Sequence, residues 1–134
     1  MRLRFGKKQS RAAAAVELAI VAPLLFTILF GIIEFGWMFT IKNTMVNAAR
    51  EGARTGALQS SEYADIVARV DTLMLPLGLS APVTYTIIEA TDADPFVSVT
   101  LTVPQADVSL VGNFFADYLT GNIVGTASMR KEGV

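Results

Sequence analysis

The chain has 134 residues, of which 52% are hydrophobic and only 17% are charged, and its net charge is −1. Soluble domains carry about 25% charged residues, so the composition favours a small domain joined to a membrane segment over a disordered chain. The absence of His and Cys excludes zinc and iron–sulfur sites built on these residues, thiol nucleophiles, disulfides and a His-based catalytic triad.

Positive charge is concentrated at the N-terminus. Residues 1–12 hold five of the 11 basic residues and no acidic residue, which leaves six bases against 12 acids, a net charge of −6, in the other 122 residues. A short basic cluster that directly precedes an apolar run is typical of a membrane-inserted chain. It is a poor nucleic-acid surface, so we predict no nucleic-acid partner.

An apolar run follows the basic cluster and is long enough to cross a bilayer. Leu18–Ile41 has 24 residues, and Glu34 is the one charge within it, whereas a bilayer core of about 30 Å needs about 20 helical residues. Five bases precede the run and Lys42 follows it, which predicts a cytoplasmic N-terminus and an external C-terminal body. An ordinary cleaved secretory signal is disfavoured, because its apolar part has only about 7–15 residues.

One acidic residue lies at the start of this run and another lies within it. Glu17 lies at its cytoplasmic edge, and Glu34 lies about one helical turn before Trp37. A carboxylate at the bilayer centre costs about 2.5–3.5 kcal/mol and usually has a partner. Glu34 is therefore either hydrated near the outer interface or engaged in an intramembrane polar contact.

The head of the chain resembles a class III prepilin signal. Residues 7–18 read KKQSRAAAAVEL, which is a basic leader, a small residue at the cleavage point and a Glu five positions later. The resemblance implies that a prepilin peptidase cleaves between Ala12 and Ala13, which makes Glu17 the fifth mature residue. Flp-type pilins typically have Gly before the cut and an aromatic residue after the Glu, where this chain has Ala12 and Leu18.

Three further stretches are similar to the TadE-like family, pseudopilin-like proteins of the tight-adherence (Tad) secretion system that builds Flp pili. They are ELAIVAPLL at 17–25, FGIIEFG at 30–36 and NAAREGAR at 47–54. The resemblance is dense over 11–57, and TASMRKE at 126–132 is similar to the family's closing strand.

The resemblance implies a minor pilin or pseudopilin that assists the assembly or priming of Flp pili for adhesion and biofilm formation. Its partners are then the prepilin peptidase, other pilins or pseudopilins, and the inner-membrane Tad platform. The implied location is the inner membrane, with a single span and, after assembly, the pilus.

The physical chemistry of the mature N-terminus agrees with this role. Cleavage would leave an α-amine on Ala13 that is mostly protonated at neutral pH, since its reference pKa is near 8. Glu17 of one subunit can pair with the amine of a neighbour, which neutralises two charges that are costly in an apolar bundle. The pair would also fix the axial register between subunits.

Beyond the span, the helix is predicted to continue with a row of small residues at Ala48, Gly52 and Gly56. Glycine in a helix costs about 1 kcal/mol relative to alanine, whereas small residues every four positions allow another backbone to approach closely. This helix-packing surface contacts either the rest of the same domain or another subunit. Arg50 and Arg54 lie in a polar stripe, where they are solvated, paired with acids such as Glu51, or in contact with a partner.

The sequence after the long helix predicts a second helix over 61–75 and strands over 83–89, 96–103 and 123–130. It also predicts a short helix or packed loop over 109–119. We predict an α+β, pilin-like fold: a long N-terminal transmembrane helix that continues outside the membrane, a second helix and a small three-stranded antiparallel sheet. The predicted segments are a leader at 1–12, a transmembrane helix at 13–41 and an extracytoplasmic domain at 42–134.

No catalytic motif is present in the body, so we expect no enzyme activity, no cofactor and no small-molecule substrate. Asp92 and Asp94 lie in a turn, and a calcium loop needs more oxygen ligands than they supply. The alternative function is a single-pass sensor or scaffold with a small external binding domain, for which leader cleavage has no use. A pseudopilin of a type II system is disfavoured, because those leaders usually have Gly before the cut and an aromatic first mature residue.

Overall fold

In the computed structural model of the protein, residues 6–79, 83–112 and 119–133 are described, with side chains from residue 11 onward. The first residues of the predicted leader, the end of the predicted loop at 76–82 and the centre of the predicted segment at 109–119 lie outside these ranges. The chain divides into two compact units, Met1–Phe35 and Gly36–Val134.

The first unit contains the N-terminal part of helix α1, which runs over Gly6–Gly56. Its apolar side chains are exposed, for example 64% at Leu18 and 72% at Ile20. Pro23 lies inside the helix and has no backbone N–H to donate, and the Thr27 hydroxyl donates to the Pro23 carbonyl oxygen at 2.9 Å. In the described chain, α1 is the one helix that is long and apolar enough to cross a membrane.

The second unit combines the C-terminal part of α1 with the rest of the chain. Its further elements are α2 (Tyr63–Met74), a 3₁₀ turn (Leu75–Leu77), β1 (Thr84–Ile88), β2 (Phe96–Pro104), α3 (Gln105–Val108) and β3 (Asn122–Arg130). Glu62 and Asp65 form a capping box at the start of α2, where the Glu62 N–H donates to Asp65 Oδ2 at 3.0 Å. Gly78 follows the 3₁₀ turn in the left-handed region at φ 56°, which favours glycine.

The three strands form one antiparallel sheet in the order β1-β2-β3. Strict alternation along β2 buries one of its faces, which consists of Val97, Val99, Leu101 and Val103. The opposite face carries cross-strand hydroxyl pairs, Ser98 with Ser128 at 2.7 Å and Thr100 with Thr126 at 2.8 Å. The buried face closes the core over α1 and α2, since a three-stranded sheet needs apolar cover.

The predicted α+β pilin-like fold is confirmed: a long apolar N-terminal helix is followed by a second helix and a three-stranded antiparallel sheet. The observed α2 and β3 differ by one or two residues from the ranges expected at 61–75 and 123–130. The four-residue helix α3 was not predicted, because so short a segment has no periodic pattern of its own.

Candidate functional site

The predicted cleavage and assembly residues lie on the exposed surface of α1. Ala12, Ala13 and Glu17 are all exposed, and the bond between Ala12 and Ala13 lies inside the helix that begins at Gly6. Glu17 is four residues after Ala13, so the two positions share one helix face. This geometry presents the carboxylate on the outside of the apolar helix, where a second molecule can reach it.

Glu34 has a different environment. Its side chain is only 3% exposed, whereas its neighbours Ile33 and Phe35 are 45% and 75% exposed. Among the described residues it is the one charged side chain that is buried. Burial of a carboxylate is costly unless polar groups surround it.

The row of small residues packs inside the folded unit. Ala48 is fully buried, and a Cβ atom added to Gly52 would lie 2.7 Å from Val70 Cγ2. A Cβ atom at Gly56 would lie 2.8 Å from both Ile66 Cδ1 and Val97 Cγ1. The glycines therefore permit close contact of α1 with α2 and β2 of the same domain. An adjacent row is also buried, and it consists of Ala49, Ala53 and Ala57.

Replacement of Gly52 by leucine should destabilise the domain. The substitution gains up to about 1 kcal/mol of helix propensity, but overpacking against fully buried Val70 costs about 1–3 kcal/mol or more. Gly36→Leu is the matched control on the same helix, because a Cβ atom there meets nothing within 4 Å. Chemical unfolding of the full-length chain in detergent measures the free energy of unfolding, which should be lower than wild type for Gly52→Leu and unchanged for Gly36→Leu. Equal free energies of unfolding for the two variants would contradict close packing.

The polar stripe of α1 is exposed and only partly engaged in ion pairs. Glu51 Oε1 lies 3.7 Å from Arg54 Nη1, and Glu51 Oε2 lies 3.3 Å from Arg69 Nη2 on α2. Such exposed pairs contribute about 0–1 kcal/mol. Arg50 is exposed together with Asn43 and Asn47, and neither ion pair of the described residues includes Arg50. This face of α1 therefore remains accessible to a partner.

Gly125 of β3 lies directly against the backbone of α1 at Met45, a close approach that was not predicted from the sequence. A Cβ atom there would lie 2.7 Å from the carbonyl carbon and from Cβ of Met45, and 2.9 Å from the Met45 oxygen. The available signal was a glycine inside a strand, which often marks a close backbone approach. Its partner could not be read from the sequence.

Two long-range hydrogen bonds anchor the start of the folded unit to its later segments. Trp37 Nε1 donates to the Val108 carbonyl oxygen at 2.8 Å, and Lys42 Nζ donates to the carbonyl oxygen of Val124. The sequence identified Trp37 only as a membrane-interface residue. In the structure it also holds the segment after β2 against α1.

A cavity of about 390 Å³ opens beside the end of α2 and β1. Its lining includes Asp71, Met74, Leu79 and Tyr85, and the Tyr85 hydroxyl donates to Asp71 Oδ1. Burial, the hydrogen bond and the negative charge of Asp71 raise the pKa of Tyr85 from 10.0 to about 12. The Tyr85 hydroxyl and one carboxylate oxygen of Asp71 are thus already engaged with each other.

The Tyr85–Asp71 contact predicts a defined pH dependence. Because the folded-state pKa is raised, the stabilisation is complete below pH 10.0 and is lost as the pH rises through about 12. Tyr85→Phe should therefore flatten the loss of folding stability over that window. Tyr63→Phe, at an exposed tyrosine, should retain it. An identical decline in wild type and Tyr85→Phe would contradict this role of the contact.

The acidic turn before β2 stabilises local backbone. Asp94 Oδ1 accepts the Phe96 N–H at 3.3 Å, and the Asp94 N–H donates to Thr91 Oγ1 at 3.1 Å. Among residues 6–79, 83–112 and 119–133, no group of three or more acidic side chains is placed to hold a metal ion. The Asp92–Asp94 turn thus has a structural explanation.

Residues 12–54 match the family model for TadE-like protein. The match contains Glu17, Glu34 and most of the small-residue row, and it ends before β1. The resemblance to the TadE-like family is confirmed over this segment. No curated protein and no solved structure matches the chain.

Proposed function

We propose that this TadE-like protein is a minor pilin or pseudopilin of the Tad system that assists the assembly or priming of Flp pili, and hence adhesion and biofilm formation. The observation that carries the proposal is the placement of Glu17, exposed on an apolar helix within the segment that matches the family. No other acidic residue occurs from Leu18 to Ile33, so Glu17 is the one carboxylate beside this exposed part of the apolar run.

The proposed mechanism uses the charge of the mature N-terminus. Cleavage after Ala12 releases the α-amine of Ala13, and the exposed Glu17 of an adjacent subunit pairs with it. Exposed apolar side chains on both sides, such as Val16 and Leu18, pack against neighbouring helices and exclude water. The ion pair sets the axial register, because any other stagger leaves two charges without partners in an apolar bundle.

The proposal includes a location and partners. α1 spans the inner membrane once over residues 13–41, its N-terminus is cytoplasmic and the domain at 42–134 lies outside. The partners are the prepilin peptidase, other pilins or pseudopilins and the inner-membrane Tad platform. The exposed face of α1 with Arg50 and Arg54 is the proposed contact of the domain with these proteins. We propose a non-catalytic role without a cofactor or a small-molecule substrate.

Leader removal tests this function. In cells that contain the cognate peptidase, the membrane-extracted protein should begin at Ala13, because the basic run ends at a small residue five positions before Glu17. N-terminal sequencing measures this directly, and a strain without the peptidase is the control. A mature chain that still begins at Met1 in the presence of the peptidase would contradict processing as a pilin.

The cavity beside Tyr85 is the observation that would favour a sensor or scaffold. Its volume of about 390 Å³ is within the range of small-molecule sites. However, its tyrosine and aspartate are already hydrogen-bonded to each other, so a polar ligand must displace an existing contact. Peptidase-dependent cleavage also separates the two functions, since a sensor gains nothing from it.

A further inference from the structure

One edge of the sheet has no partner in the described part of the chain. β1 is an edge strand, because the strand order is β1-β2-β3 and β1 pairs with β2. In an antiparallel pair only alternate residues of a strand bond to the neighbouring strand, so the other residues direct their N–H and C=O groups outward. Among residues 6–79, 83–112 and 119–133, no backbone hydrogen bond joins Thr84–Ile88 to any element except β2. These outward groups are available to another strand.

The opposite edge of the sheet is engaged within the chain. Gly125 of β3 lies against the backbone of α1 at Met45. Lys42 of α1 donates to the carbonyl oxygen of Val124, the residue before Gly125. The two edges therefore differ, since β3 is in contact with α1 and β1 presents its outer edge unpaired.

β1 carries none of the features that commonly keep an edge strand from pairing. Such strands are usually protected by charged side chains, especially Lys, by Pro or by a β-bulge, whereas Thr84–Ile88 reads TYTII. It pairs residue by residue with β2 and has no bulge, and its β-branched and aromatic side chains favour strand structure. The first charged residue after it is Glu89. An edge of this composition favours the addition of a second uncharged strand.

We infer that β1 of one molecule pairs with β1 of a second copy, antiparallel and centred on Thr86, so that two three-stranded sheets join into one. A second copy is the occupant because β1 is self-complementary in this register. Thr86 faces the second copy's Thr86, and Ile88 faces its Thr84, all on the exposed face of the strand. On the half-buried face, Tyr85 lies opposite the second copy's Ile87, and pairs of an aromatic with a β-branched residue stabilise sheets.

The register centred on Thr86 also satisfies the backbone and separates the nearest charges. Whichever alternate set of β1 residues directs its backbone groups outward, each member of that set faces another member of the same set, so every outward N–H finds a carbonyl oxygen. The two Glu89 residues lie about 20 Å apart along the strands, at about 3.4 Å per residue. This contact goes beyond the proposed function, because it uses neither Glu17 nor leader cleavage.

The absence of cysteine allows the pairing to be tested by site-specific cross-linking of the full-length chain in lipid vesicles. Thr86→Cys places the thiols of two copies opposite each other, with Cα atoms about 4.5–5.5 Å apart, within reach of a short bis-methanethiosulfonate. Thr84→Cys is the matched control on the same face of β1, because its two copies lie about 14 Å apart along the strands. Thr72→Cys, at an exposed threonine of α2, measures random collision.

Thr86→Cys should form the cross-linked dimer several-fold faster than either control. A mixture of Thr84→Cys and Ile88→Cys chains should also cross-link, because these two residues face each other in the antiparallel register. Fluorescence of Trp37, the one tryptophan of the chain, confirms that each variant is folded.

Two results would overturn the inference. Equal rates for Thr86→Cys and Thr72→Cys would show that β1 does not meet a second copy. Cross-linking of Thr84→Cys to itself as fast as that of Thr86→Cys would indicate a parallel arrangement instead. Neither result affects the proposed function, which is tested separately by the cleavage after Ala12.

Discussion

Gly125→Ala is expected to destabilise the folded domain by about 3 kcal/mol, at the upper end of the usual overpacking cost. The added methyl group would lie 2.7 Å from the Met45 carbonyl carbon and 2.9 Å from its oxygen. These are backbone atoms of a helix, so they cannot rotate away as a flexible side chain can. Met45 is also fully buried, which leaves β3 as the element that must move.

Urea unfolding of the full-length chain in detergent measures this effect. Trp37 is the one tryptophan and bonds to Val108 within the domain, so its fluorescence reports domain unfolding. A loss of about 3 kcal/mol lowers the urea midpoint by about 1–3 M for a domain of this size. Gly36→Ala is the control, since its new methyl group meets nothing within 4 Å. A Gly125→Ala midpoint equal to that of the control would refute the close approach.

Regular features of the sequence were sufficient to predict the main elements. The alternation along 96–103 identified β2 and its buried face, because side chains on a strand point to opposite sides. The apolar run identified α1, and the spacing of Ile66, Val70 and Met74 placed one face of α2 in the core. These signals are local and repeat over several residues, so a single exception does not remove them.

Contacts between distant residues could not be predicted in the same way. The sequence indicated that Gly52 and Gly56 meet a close neighbour, but it left open whether that neighbour is the same domain or another subunit. The structure supplies Val70, Ile66 and Val97. The bonds from Trp37 to Val108 and from Lys42 to Val124 join residues 71 and 82 positions apart, and no periodic pattern encodes such pairs.

The contacts of the core lie within one chain, whereas the proposed contact of the assembly site involves a second subunit. Glu17 was identified by its spacing from a small residue and a basic run, and it lies within the family match over 12–54. The proposed partner of Glu17 is the amine of another subunit. A sequence pattern can therefore mark the residue, whereas only an assembled complex contains the contact.

Glu17→Ala should sharply reduce assembly while leaving folding and insertion intact. The side chain is exposed and lies outside the domain that begins at Gly36, so its removal leaves no cavity. Loss of a charge at the membrane edge also makes insertion no less favourable. The missing carboxylate leaves the Ala13 amine of the neighbouring subunit without a partner in an apolar bundle, and that state is strongly disfavoured.

Surface pili counted by electron microscopy, in a strain whose chromosomal copy is replaced by each variant, test this role most directly. Glu89→Ala is the matched control, because it removes an exposed carboxylate that lies after β1 and outside the apolar run. Membrane levels of the protein are measured in parallel by immunoblotting. We expect wild-type levels of both variants, with piliation lost or greatly reduced for Glu17→Ala and retained for Glu89→Ala. Full piliation by Glu17→Ala at normal protein level would contradict the assembly role of this residue.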